Sequence, residues 1–92
     1  MKNAARRRIA IRIQATDYDA MRRLLPGEER LPEKYEDWAR RASEEVARIT
    51  RRGDSFLAVV VTPEDLVSHC DASGEEPSYA LLEATALKKA DE

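Results

Sequence analysis

The sequence predicts a small mixed fold, α/β or α+β, and three observations carry that expectation. Ile9, Ile11 and Ile13 alternate with Arg8, Ala10, Arg12 and Gln14, which is the period of a half-buried strand. Phe56 to Val61 is a second, continuously apolar run of strand length. Between and after these runs the apolar residues recur at helical spacing. The element order is then β-α-α-β-α-α: two strands per chain, packed by one long and three shorter helices. With 92 residues there is room for one domain. Residues 1–5 are expected to be a disordered N-terminus, and 6–92 a single small globular domain.

Each element has its own signals. After the first strand, Thr16 and Asp17 offer N-cap oxygens, and a short helix is expected over about 17–24. It presents Tyr18, Met21, Leu24 and Leu25 to a core, and Pro26-Gly27 ends it. Pro32 is suited to a first helical turn, so the long helix is expected over about 32–52. Tyr35, Trp38, Ala39, Ala42, Val46 and Ile49 fall on one arc of it. Glu36–Arg40, Asp37–Arg41 and Glu44–Arg48 are spaced to pair at i,i+4 across the opposite face. Gly53 fits the position just past its end.

The second strand is followed by Thr62, Pro63 and Asp65, the pattern of a capping box with proline at the first position. Leu66, Val67 and Cys70 are its expected inner face, and Ser73-Gly74 closes it. A last helix is expected from Pro77 to about residue 90, with Tyr79, Leu82 and Ala86 on one side. The unbroken apolar character of 56–61 suits a strand covered on both faces. A homodimer whose second strands pair across a two-fold axis, in the order 1-2-2′-1′, would provide that cover. Arg8 and Arg12 would then guard the outer edges. A monomer with helices on both faces of a hairpin is the alternative.

Composition narrows the function. Hydrophobic residues make up 42% and charged residues 37%, as in a globular domain with a heavily charged surface. The longest apolar run is too short to span a bilayer, and the basic N-terminus lacks the apolar stretch of a secretory signal. A cytoplasmic location is the expectation. One cysteine excludes a disulfide framework within the chain. The net charge of -2 is unevenly spread: residues 1–30 carry +4, 31–53 carry +1 and 54–92 carry -7. Such polarity suits a basic partner surface at one end, charges satisfied inside the molecule, or two copies packed head to tail.

Catalytic signals are sparse. His69, Cys70 and Asp71 are consecutive at a helix end, where successive residues point about 100° apart. The helix C-terminus also disfavours thiolate, so Cys70 reads as a core residue, with a reactive thiol as the competing reading. One His and one Cys do not make a zinc site without carboxylates such as Asp71, Glu75 and Glu76. The three glycines are scattered, which excludes a phosphate-cradling loop. Tyr35 and Trp38, three residues apart on an apolar face, read as core rather than as a ligand platform. No cofactor is expected. The leading expectation is a small non-enzymatic protein that binds another protein.

The alternative is DNA binding. Arg6-Arg7-Arg8-Ile9-Ala10-Ile11-Arg12-Ile13, followed by a short and then a long helix, resembles the ribbon-helix-helix DNA-binding proteins. The resemblance covers about residues 6–50. It implies that two copies pair their N-terminal strands and that outward strand residues read the major groove. Arg8, Ala10 and Arg12 stand at the outward positions, with Arg6 and Arg7 beside them for phosphate.

Overall fold

The computed structural model describes residues 7–91. The order is β1 (Arg7–Arg12), α1 (Ala15–Leu24), α2 (Tyr35–Arg51), β2 (Ser55–Val60), α3 (Pro63–Ser73) and α4 (Tyr79–Ala90). The two strands form one parallel sheet, with Ile9 beside Leu57 and Ile11 beside Val59. A parallel pair needs a crossover connection, and α1 and α2 supply it. The hairpin of the monomeric alternative is therefore not what forms.

Paired positions in a sheet share a face. Ile9, Ile11, Leu57 and Val59 lie on the inner face and join a single core cluster with residues of all four helices. Both α2 and α4 pack across both strands, α3 packs on α4, and α1 on α3. The centre of that cluster is Tyr18, Met21, Val61, Leu66 and Leu82, all fully buried. Tyr18, Tyr35 and Trp38 form an aromatic group with centroids 5.4–5.9 Å apart. The Tyr18 hydroxyl donates to the Pro32 carbonyl at 2.6 Å. Tyr35 and Trp38 are core, as their spacing suggested.

β2 differs from its expectation. Its burial alternates, and Phe56 and Val60 stay 39% and 40% exposed. Every helix that packs on the sheet does so on the inner face, so only one side of this apolar strand is covered within the chain. The molecule is accordingly thin, 19 Å in its shortest dimension.

The helix ends explain most boundary differences. α1 starts at Ala15 with Gln14 as N-cap and no side-chain cap. Thr16 and Asp17 lie inside the first turn rather than before it, where Asp17 complements the helix dipole. α2 starts at Tyr35, not at Pro32. Leu31 is buried and the Pro32 carbonyl is held by Tyr18, so that segment is pinned to α1 before the helix begins. The expected i,i+4 ion pairs are replaced by i,i+3 pairs, Asp37–Arg40 at 3.1 Å and Glu45–Arg48 at 2.5 Å. α2 closes as Gly53 and Arg52 require. Gly53 takes a φ of 84°, its N–H donates to Thr50, and the Asp54 N–H reaches the Ile49 carbonyl. α3 has its full capping box, Thr62 with Asp65, and Pro63 at its first position. Leu66 and Cys70 point inward, but Val67 is 40% exposed, because α1 and α4 leave that side of α3 open. In α4 the cap is Ser78, and Pro77 lies before the helix.

The last helix is tied back to β2. The Lys89 ammonium donates to the Val60 carbonyl at 2.6 Å and to Asp65 at 2.5 Å. No described helix is long and apolar enough to cross a membrane.

Candidate functional site

The Val61 N–H donates to the Arg12 carbonyl at 2.9 Å, and this bond fixes the sense of the ladder. In a parallel pair, alternate residues of each strand turn their backbone groups toward the neighbour. Arg8, Ala10 and Arg12 therefore bond toward β2, while Ile9 and Ile11 turn N–H and C=O toward the free edge of β1. On β2, Phe56, Ala58 and Val60 turn outward, and Lys89 occupies the Val60 carbonyl. The β2 edge is thus blocked at its C-terminal end by a lysine, a usual guard against strand addition. Among the described residues, nothing comparable caps the β1 edge.

A groove of about 500 Å³ runs along that β1 edge. Arg8 to Ile11 form one wall and α2 the other. Ile9, Ile11, Trp38, Ala42 and Ile49 give it apolar surface. Arg41 and Arg48, with Glu44 and Glu45, line the α2 rim. The far end is closed by Arg30, which lies 4.2 Å over the Tyr79 ring. Burial, and then the nearby Glu83, push the Tyr79 phenol up from its usual pKa, with Arg30 opposing. Glu28 holds the same arginine through a 3.0 Å ion pair. The main-chain N–H of Arg30 and then its guanidinium hold the Glu28 carboxyl below its usual range.

Around the edge from this groove is the open sheet face. Arg8, Ala10 and Arg12 share it with Phe56, Ala58 and Val60. The strand alternation thus places Arg8 and Arg12 together on an outward surface, as the sequence suggested. Arg8 Nε lies 3.6 Å from Asp54, an ion pair just beyond hydrogen-bond reach. Arg12 is exposed. Arg6 lies outside the described residues, as does the side chain of Arg7.

His69 and Cys70 diverge. Thr85 donates its hydroxyl proton to the Leu81 carbonyl at 2.8 Å, so the 2.8 Å contact with His69 uses Nδ1 as donor. Cys70 is buried in the core cluster. Burial, and then Asp71 and Glu75, push its thiol above the usual range, the opposite of an activated nucleophile. No group of three metal-ligating side chains comes together among the described residues, so Asp71, Glu75 and Glu76 form no such site.

The free edge and its groove were not legible beforehand. The alternation of β1 marks an edge strand, but the wall across from it depends on where α2 lies. Compared with protein-family models, curated proteins and solved structures, the chain matches none.

Proposed function

We propose that this chain is a non-enzymatic binding protein that accepts an extended segment of another protein along the β1 edge. One observation carries the reading: the outward backbone groups of Ile9 and Ile11 open onto a groove whose opposite wall is α2. A partner strand laid there would add main-chain hydrogen bonds to the sheet. Its alternate side chains would rest on Trp38, Ala42 and Ile49 or face the arginines and glutamates of the rim. An added third strand would also relieve a sheet that is marginal with two.

The test is capture by a tagged chain at several salt concentrations. Ala42→Arg fills the groove and should abolish capture, whereas Arg51→Ala, on the exposed end of α2, should not. With the captured protein in hand, amide exchange at Ile9 and Ile11 should slow at least about tenfold, as expected when free N–H groups become bonded. Capture indifferent to Ala42→Arg, or absent at every salt, would overturn the reading.

A second reading rests on Arg8 and Arg12 sharing the open face. It assigns that face to duplex DNA, and it predicts that replacing both arginines by alanine lowers affinity and flattens its salt dependence. In the ribbon-helix-helix proteins the N-terminal strands of two copies pair. Here β1 is already paired in parallel with β2 on its inner side. Apolar Phe56, Ala58 and Val60 occupy half of the face, which favours protein over nucleic acid.

A further inference from the structure

We propose that the groove between α1 and α3 is a self-association surface, at which a second copy of this chain packs α1 against α3′ across a two-fold axis. The groove has a volume of about 470 Å³ and lies on the side of α3 that neither α4 nor the sheet covers. Ala20 and Leu24 of α1 and Pro63 and Val67 of α3 make it apolar. Val67 stands 40% exposed in it, the one side chain of the expected inner face of α3 that the core leaves out.

Charge selects the occupant. Arg23 lines the α1 wall and Glu64 the α3 wall. Neither makes an ion pair among the described residues. A two-fold contact is self-complementary, because residue i meets j′ while j meets i′. Packing α1 on α3′ therefore sets Arg23 toward Glu64′ and Glu64 toward Arg23′, with Leu24 and Val67 between them. A surface carrying both signs in this arrangement fits its own copy. The helices are short, ten and eleven residues, so the buried area falls at the low end for stable complexes and association is concentration-dependent.

Sedimentation velocity on the full chain tests this across about 5 to 500 μM, a range suited to weak complexes. The wild type should move from monomer to dimer across that range. Val67→Glu should remain monomeric with an unchanged circular dichroism spectrum. Arg23→Glu and Glu64→Arg should each be monomeric alone, because each puts four like charges in the contact. Mixed in equal amounts, those two variants should form a heterodimer at least as readily as the wild type dimerises, because the mixture restores both pairs. Phe56→Glu, on the open sheet face, should leave dimerisation intact. A wild type monomeric throughout would overturn the proposal. So would a dimer that survives Val67→Glu, or single variants that fail to associate on mixing.

Discussion

Asp65 joins three parts of the chain, and removing its carboxylate should show what that junction contributes. One oxygen accepts the Thr62 N–H at 2.9 Å and the Lys89 ammonium at 2.5 Å, while Lys89 also holds the Val60 carbonyl. Asp65→Ala removes the capping-box hydrogen bond from the Thr62 N–H, worth about 0.5–1.5 kcal/mol. It also removes an ion pair whose side chains are 31% exposed, worth about 0.2–1 kcal/mol after solvent screening. The expected loss is therefore about 0.7–2.5 kcal/mol, which for a domain of this size lowers the melting temperature by about 3–20 °C. The pH dependence follows from the carboxyl's environment. Burial acts to raise its pKa, but the Lys89 ammonium and the Thr62 amide and hydroxyl outweigh it, and the folded value is lowered. A carboxyl with a lowered folded pKa stabilises fully above its unfolded pKa, about 4, and the benefit disappears as pH falls through the folded value. Urea unfolding followed by circular dichroism should show the full difference between wild type and variant at pH 7. The difference should shrink as the pH is lowered from about 4 toward 2. A double-mutant cycle with Lys89→Met should return a coupling of about 0.2–1 kcal/mol. A loss below about 0.5 kcal/mol at pH 7, within the range of ordinary surface substitutions, would refute the reasoning. So would a difference undiminished in acid.

Other positions give independent checks. Tyr18→Phe keeps the buried ring but leaves the Pro32 carbonyl without its donor, and should lower unfolding free energy by about 1–2 kcal/mol in the same urea assay. Gly74 closes α3 with a φ of 73° and open space around it, so Gly74→Ala should cost about 1 kcal/mol through backbone strain alone, read as a lower melting temperature. Cys70 should react with an alkylating reagent at neutral pH far more slowly in the folded chain than in urea, since burial both shields the thiol and raises its pKa. Phe56→Ser should cost less than about 2 kcal/mol in thermal melts, short of the loss of a core aromatic, because the ring is already 39% exposed on the open sheet face.

The element order could be read in advance because each element announces itself locally. The isoleucine alternation of β1, the apolar arc of α2 and the Thr62-Pro63-Asp65 cap of α3 depend only on neighbours in sequence. Less local features were read less well. The start of α2 was displaced by the bond between Tyr18 and Pro32, fourteen residues apart. Val67 has the composition of a core position, but its exposure depends on how α3 lies against α1 and α4. The apolar run 56–61 implied two covered faces, and one chain covers one. For the site, alternation placed Arg8 and Arg12 on a common face, and Cys70 went to the core as its helix position suggested. The β1 groove and the groove between α1 and α3 arise from juxtaposed helices, and no single segment encodes them.

The parallel register also bears on how the chain reaches this structure. Arg7 pairs with Ser55 and Arg12 with Val60, so every ladder bond closes a loop of about half the chain. Loop closure of that length is entropically costly and comes before any return from inner-face burial. Helices should therefore form first, and the sheet should be the late, rate-limiting event. During synthesis β1 leaves the ribosome with no strand to pair with until residues 55–60 follow. For that interval β1 carries unpaired backbone groups on both edges, those of Arg8, Ala10 and Arg12 on one and those of Ile9 and Ile11 on the other. Charged neighbours on a waiting strand discourage its premature joining to another chain. Arg8 and Arg12 place such charges at alternate positions of β1, so the waiting strand is charged on one face.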